Sequence, residues 1–576
     1  MAIQSGTFTF DRGAVLDDHG GSLRRHPSGL AATFDGRIDN GDEIRMRLPD
    51  AANDAADADL ALSMFERWRT AGLGSMVGEW ALAIWDPHRR TLHLARDYMG
   101  ARPLYYARAA DGVLWSTDLA DVVVRAGSAD ELSDRFAARF MALAPHPDTT
   151  PYERVHAVPP GVCVSIAATG GITQSRFWHL RADDIRYRDP RTYEEHLRRL
   201  WRDAVRSRLR TSETVWAELS GGLDSSSVAC MAGLLIHARA AAAPAIRFVS
   251  HATLHSPEGD ERRFIAEVER RVGVRTEIVG VEESQNDADP RRAWLTPYAL
   301  HGVGLATVRR VRAGGGRLVL SGRLGDAIMG CQPDNSIAVL DDLRSGHALS
   351  ALRNMRAWSR ATRKPFVEIA WGLLAGDRRA APDGGLALLT PDLRALVRDL
   401  RAPEPPADVR RSKRPLARML LGYAAGARLD IPDRSPDVVY SYPFTHRPLV
   451  EFMLAIPGEQ LSAPGATRAL MRRAFATFVP PRIISRISKG YYPPAAYRAA
   501  RRAVAAMQVR DLEVVQRGWI DPDRLQAAMH ALSAGGGESG GEIHAVLRLE
   551  AWLQARRHTA TTPQRKEVNT DEVLHA

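Results

Sequence analysis

Cysteine is almost missing from this chain: there are three in 576 residues, Cys163, Cys230 and Cys331, far apart and without a C-x-x-C pair. That excludes a disulfide framework or a cysteine zinc site and makes a reducing compartment the default. Long apolar runs are missing too. No stretch approaches the eighteen residues of a membrane-spanning helix, and the start "MAIQSGTFTF" lacks the basic end and apolar core of a secretory signal. A soluble, cytoplasmic protein with no membrane partner is expected. Acid is in deficit, with 68 Asp and Glu against 78 Lys and Arg, and the resulting net charge of +10 is almost all arginine. The arginines are scattered, however, and neither a helix-turn-helix pattern nor an RNA-binding aromatic motif accompanies them. No nucleic acid partner is expected; an acidic or phosphorylated small partner fits better.

The composition is otherwise globular, 45% hydrophobic and 25% charged, and the length allows two to four domains. Up to about residue 185 the texture is short alternating strands: "GLAATFDGRIDN", "EWALAIWDPHRRTLHLARD", "RPLYYARAADGVLWST" and "GVCVSIAATGGITQSRFWHL", with "DADLALSMFERWRTAG" helical. From about residue 190, helices alternate with the strands "TVWAEL", "IRFVSHATL", "RTEIVGV" and "RLVLSG", which implies a parallel sheet and an α/β unit with a helical continuation to residue 555. The Pro- and charge-rich "RAPEPPADVRRSKRP", residues 401–415, is expected to loop out, and residues 556–576 form a polar tail expected to be disordered.

The segment "LSGGLDSSSVA", residues 219–229, joins a predicted strand to a predicted helix. A helix start offers free N–H groups and a favourable dipole to an anion. Gly221 and Gly222 allow close approach, and Ser220, Ser225 and Ser226 add hydroxyl donors. The turn is suited to phosphate, yet it has neither the lysine of a Walker A loop nor the spacing of a Rossmann fingerprint. Asp224 among phosphate donors would repel the anion unless a cation lay between them, which points to Mg²⁺.

"SGGLDSS" after a strand resembles the pyrophosphate-binding loop of the N-type (PP-loop) ATP pyrophosphatases in the variant found in the asparagine synthetase family. "LVLSGRLGDAIMG", residues 318–330, is similar to that family's second ATP motif. The resemblance implies nucleotide contacts from Ser321 and Gly322, a second Mg²⁺ carboxylate at Asp326, and adenosine contacts from Leu219 and the strand end near His251. "YPFTHRPLVEFMLAIP" and "ATRALMRRAFATFVPPRIISRISKGYYPPAAY" resemble the family's C-terminal signature and put Lys489 on the lysine that approaches the α-phosphate. ATP and Mg²⁺ are the implied cofactors. In the first half, "FDGRIDN", "GEWALAIWD" and "LARDYMGARPLYYA" resemble a class II glutamine amidotransferase domain, which implies an Ntn-hydrolase-like αββα sandwich.

That half has lost its chemistry. The amidotransferase nucleophile is an N-terminal cysteine, and Ala2 stands there. Where the family has x-N-G-E, this chain has Phe34, Asp35, Gly36 and Arg37, an acid at an oxyanion position and a base facing an ammonium. The amine must come from elsewhere. Relatives without the cysteine include β-lactam synthetases, but their catalytic Tyr–Glu pair is replaced here by Arg323 and Val439. The altered Pro443-Phe444-Thr445-His446 and Ala327 also indicate a pocket unlike that for free aspartate. The patterns are most similar to the lasso-peptide macrolactam synthetases. This implies adenylation of an Asp or Glu side chain in a precursor peptide and attack by the peptide's own N-terminal amine, with a leader-binding protein and a leader peptidase as partners. Arginine clusters such as "RAWSRATRK", residues 356–364, fit a carboxylate-bearing peptide. His446 is a candidate to deprotonate the amine. The alternatives are a β-lactam synthetase-like or asparagine synthetase-like small-molecule amide synthetase and, in a different class, a non-catalytic homologue that acts as a binding partner. "GESGG", residues 537–541, matches a nucleophile elbow but has no apolar strand before it and reads as a loop.

Overall fold

The computed structural model describes the chain except for residues 1–3, 17–22, 50–51, 53, 182, 253–259, 282–294, 299–301, 331, 333, 376–385, 398–404, 431–437, 488–507, 535–539 and 562–576. Ala2, Cys331, Lys489 and most of "GESGG" therefore lie outside the described residues.

The first part forms eleven strands: β1 (Ser5–Thr9), β2 (Gly13–Leu16), β3 (Leu23–Arg25), β4 (Ala31–Ile38), β5 (Gly78–Asp86), β6 (Thr91–Arg96), β7 (Tyr105–Ala109), β8 (Gly112–Ser116), β9 (Val155–Ala157), β10 (Val162–Ala167) and β11 (Ile172–Arg176). They make two antiparallel sheets, ordered β2-β1-β8-β7-β9 and β11-β10-β6-β5-β4-β3. Strand β5 explains why they stack. Its side chains alternate, so Trp80, Leu82 and Ile84 pack with Leu60, Met64 and Phe65 of the helix Asp57–Trp68, whereas Ala81 and Ala83 face Phe8, Val113 and Trp115 of the other sheet. Both faces are buried, and the sequence is accordingly apolar almost throughout. The helix Leu119–Arg125 covers the second sheet with Val122 and Val123 against Tyr105 and Ala107. The result is the expected helix–sheet–sheet–helix sandwich.

The second part holds β12 (Val215–Glu218), β13 (Ile246–Ala252), β14 (Thr276–Gly280), β15 (Leu318–Leu320) and β16 (Val439–Ser441), ordered β14-β13-β12-β15-β16 with every neighbouring pair parallel. Four of these strands are the ones read from the sequence. β16 is an addition: three residues are too few for a periodic signal, and β16 is held by its register against Leu318–Leu320. The chain winds outward from β12 to β14, then returns to place β15 on the other side. The direction of winding thus reverses between β12 and β15, and in open parallel sheets ligands bind beyond the carboxyl ends of the strands at that point.

Residues 405–410 run without regular structure, with 406–408 exposed, but the end of the segment corrects the sequence expectation: a turn at Arg411–Lys413 leads into the helix Arg414–Asp430, and Lys413 is 0% exposed. Lys413 Nζ donates to the Met453 carbonyl at 2.9 Å, and the Asp341 carboxylate accepts from the N–H groups of Arg411 and Ser412. Burial pushes the Lys413 pKa well below its ordinary value. Local composition cannot reveal that a distant carboxylate and carbonyl are waiting for these groups. At the other end, the helix Gly540–Thr561 carries the chain past residue 555, and Arg556 donates to Tyr152 Oη at 3.1 Å.

Candidate active site

The loops that leave β12 and β15 meet across the switch point. Gly221 has φ +70°, and a Cβ there would lie 2.8 Å from Phe264 Cβ, so only glycine fits the turn. Gly222 caps the helix Leu223–His237, whose first turn carries Asp224, Ser225 and Ser226. Ser225 Oγ accepts from the Ser220 N–H at 3.1 Å and lies 3.0 Å from Ser220 Oγ, which closes the turn on itself. From the other loop, Gly322 approaches so closely that a Cβ would be 2.6 Å from the Ser225 nitrogen, and one on Gly325 would be 2.8 Å from the Asp224 carboxylate. Ser321 is fully buried; its Oγ donates to Glu218 at the end of β12, and its N–H donates to the Ser441 carbonyl of β16. Ser220, Gly221, Gly222, Asp224, Ser225, Ser226, Ser321 and Gly322 thus gather in one place.

The donors suit an anionic ligand. Ser226 Oγ is buried without a partner at the helix start. Asp224 is buried, and both its oxygens lie 2.9 Å from Arg468 Nη1, while Arg468 Nε is buried and unpaired. Arg468 comes from "ATRALMRRA" and was not singled out in the sequence; its φ of +55° at a helix start, invisible in composition, turns it toward Asp224. Asp326 is exposed one residue beyond the Gly325 contact. Among the described residues no three His, Cys, Asp or Glu side chains gather to hold a metal. Two carboxylates with the remaining positions filled by phosphate oxygens and water is nevertheless the donor set Mg²⁺ takes beside a nucleotide, so Asp224 and Asp326 fit that ion.

Leu219 is buried beneath the loop, and His251 stands at the end of β13. His251 Nε2 lies 2.7 Å from Thr307 Oγ1, which itself donates to the Val303 carbonyl, so Nε2 is the protonated nitrogen of a neutral ring. Burial lowers its pKa, against the opposing pull of Glu218. Lys489 lies outside the described residues. Three positions before it, Arg486 pairs with Glu261, donates to the Gly221 carbonyl at 3.0 Å, and covers the Phe264 ring at 3.9 Å. Gly221→Ala should therefore weaken ATP binding at least tenfold while the global fold holds, as measured by nucleotide titration beside a melting curve.

The first part of the chain is tied to this one by buried ions. Arg37 does not face an empty pocket. It binds Asp39 at 2.8 Å and Glu79 at 3.1 Å, and Arg208 from the second half reaches Glu79 at 2.9 Å and Asp39 at 3.4 Å. Ser441 Oγ and the Tyr442 N–H also donate to Glu79. Burial opposes ionisation of both carboxylates, but Arg37 and Arg208 win, holding Glu79 at about 2 and Asp39 well below its ordinary value. Asp35, which has no such pairing, is raised by burial. His446 belongs to the same cluster, with Nδ1 3.2 Å from Asp39 Oδ2. An ionised Asp39 only accepts, so Nδ1 carries the proton and Nε2 is the basic nitrogen. Cys163 and Cys230 are buried, and burial pushes their thiols up to about 12, which rules them out as nucleophiles.

Two family models match the chain: asparagine synthase over residues 196–554 and a glutamine amidotransferase domain over residues 7–178. A putative glutamine-hydrolyzing asparagine synthetase of Mycobacterium tuberculosis is 29% identical over 218 residues, 36% of this chain and 33% of that protein. Glutamine-hydrolyzing asparagine synthetase 3 of Bacillus subtilis is 24% identical over 242 residues, 39% and 38% of the two chains, and amidase chry2 of Gibberella zeae is 27% identical over 215 residues, 36% and 31%. The chain thus spans about a third of the length of the curated relatives it matches. A glutamine PRPP amidotransferase from B. subtilis aligns with 50% of this chain and 77% of its own at 14% identity and a TM-score of 0.23.

Proposed function

The chain belongs to the asparagine synthase family, and we propose that it is an ATP-dependent, AMP-forming amide ligase of the PP-loop pyrophosphatase type. A substrate carboxylate oxygen bonds to the α-phosphorus of ATP as pyrophosphate leaves. An amine nitrogen then attacks the acyl carbon, the bond to AMP breaks, and the ammonium proton passes to a base. Mg²⁺ would neutralise phosphate charge when bound between Asp224 and Asp326. Ser220, Ser225, Ser226 and the N–H groups at the helix start hold the phosphates, Leu219, His251, Ser321 and Gly322 line the nucleoside side, and Lys489 offsets charge on the departing pyrophosphate. Asp39 orients His446 so that Nε2 can take the amine's proton. The observation that carries this reading is the meeting of the two loops, Gly322 and Gly325 against Ser225 and Asp224. The unpaired Ser226 Oγ and Arg468 Nε speak against a silent homologue.

The finer reading is a lasso-peptide macrolactam synthetase, acting on a precursor peptide with a leader-binding protein and a leader peptidase. The commitment of Arg37 to Asp39 and Glu79 favours an amine that arrives on the substrate. A groove of about 390 Å³ favours a peptide; Phe140, Tyr298, Met419, Gly422, Tyr423 and Arg548 are among its walls. The helix Arg414–Asp430 links it to the nucleotide loops, since Leu416 and Ala417 share a core with Ile328 and Met329. Gly422 stands about 8 Å further along its axis.

A linear peptide with a free amine and one internal Asp or Glu should support ATP–pyrophosphate exchange and lose one water in the mass spectrum. Exchange with free aspartate but not with the peptide would leave only a small-molecule amide synthetase. Space is open at Gly422, so Gly422→Phe should raise the peptide KM about tenfold without lowering the melting temperature.

A further inference from the structure

The helices Ala348–Thr362 and Phe366–Ala375 pack with Ala338–Arg344 around a small core of their own, Val339, Ala351, Trp358 and Ile369. In the first helix, Ala351 and Trp358 lie on one stripe. Leu349, Leu352, Arg353, Arg356 and Arg360, at offsets of three, four, seven and eleven from Leu349, form the opposite one and are all exposed. In the second, Ile369 points inward while Val367 and Trp371, four apart, are exposed. Leu349 and Val367 are each 78% exposed and Trp371 72%. Of the fourteen large hydrophobic residues exposed among the described residues, six fall between positions 343 and 371.

The same 29 residues carry five arginines and Lys364 against one acid, Glu368, a net +5 that is half the charge of the whole chain. Lys364 is near Asp334 and Glu368. Arg344, Arg353, Arg356, Arg360 and Arg363 have no carboxylate partner among the described residues, unlike Arg37, Arg208, Arg468 and Arg486. Like charges three and four apart destabilise a helix, and exposed leucine and tryptophan gain nothing from water. A surface that breaks both rules at one place is shaped by something that covers it.

Charge and pattern select the occupant. A membrane-surface helix keeps its basic residues opposite its apolar ones, whereas Leu349, Arg353, Arg356 and Arg360 share one stripe. A second copy would bring +5 against +5. Exposed arginines on one helix beside an exposed tryptophan on the next are the composition of a protein-binding surface. We propose that the face formed by residues 343–371 docks an acidic, amphipathic helical segment of a partner protein, its leucines meeting Leu349, Val367 and Trp371 and its carboxylates meeting the unpaired arginines. The proposal does not depend on the ligase reading, because its readout needs no ATP.

The probe is a labelled synthetic eighteen-residue helical peptide with glutamate and leucine in alternate helical stripes, followed by fluorescence anisotropy on the full chain. It should bind with micromolar affinity that weakens at least fivefold between 50 and 300 mM salt. Arg353→Glu/Arg356→Glu/Arg360→Glu should weaken it at least twentyfold. Leu349→Ser/Trp371→Ser, both at exposed positions, should weaken it at least fivefold with the melting temperature unchanged. Equal binding of a lysine-for-glutamate or a serine-for-leucine peptide would overturn the proposal. So would preferential binding of phosphatidylserine vesicles or duplex DNA, or a dimer in sedimentation that the triple charge reversal dissolves.

Discussion

Replacing Asp224 by alanine is expected to lower ATP–pyrophosphate exchange by about 10²- to 10³-fold, the scale on which a preorganised charge at a reacting phosphate contributes. It should also destabilise the fold, because Arg468 would be left buried without its carboxylate at 2.9 Å, a change that costs roughly 3–5 kcal/mol. These two effects can be separated. Asp224→Ala/Arg468→Met removes both charges and should recover most of the lost melting temperature while exchange stays absent. A stable double variant that still exchanges pyrophosphate would sink the site assignment. Arg468→Met alone should loosen ATP binding, and adding Mg²⁺ with ATP should recover part of the lost melting temperature if Asp224 holds that ion.

The second large effect is expected where the halves join. Arg208→Met should cost roughly 3–5 kcal/mol, because Glu79 and Asp39 would lose a buried partner. The pH dependence has a definite sign. Glu79 is held at about 2 against an ordinary 4.5, and Asp39 is lowered too. Their stabilisation is therefore complete above about pH 4.5 and disappears as the pH falls toward 2. Arg208→Met should make unfolding begin at a higher pH, and Glu79→Gln should flatten the acid limb. Asp97 works the other way: burial raises it to about 6, so its contribution declines between its ordinary 3.8 and 6 and is constant above. Acid titrations of the melting temperature test all three. If Arg208→Met melts with the wild type at every pH, the cluster is not what joins the halves.

The residues that sequence reasoning missed share a property. Arg468 is 244 positions from Asp224, and Arg208 is 129 from Glu79 and 169 from Asp39; each looks like an ordinary charged side chain in its local context. The buried Lys413 was misread for the same reason: a segment rich in proline and arginine looks like a surface loop until Asp341 and Met453 are placed beside it. The strands of the first part, by contrast, are legible, because β6 alternates with a period of two and β5 is a short apolar run between turn residues; their stacking into a sandwich is what the amidotransferase resemblance implies.

By itself the sequence determined the two-part architecture, four of the five parallel strands and the Ser/Gly turn that follows β12. These rest on local signals: side-chain period, paired glycines, and serine and aspartate at a helix start. Only the tertiary structure decided that the loops of β12 and β15 interlock, that Asp224 is held by Arg468, and that Arg208 joins the two halves. It also decided that Arg353, Arg356 and Arg360 stand on one exposed helical stripe without a carboxylate partner among the described residues. Charge pairing and burial act between residues far apart in the chain, and no pattern along the chain records them.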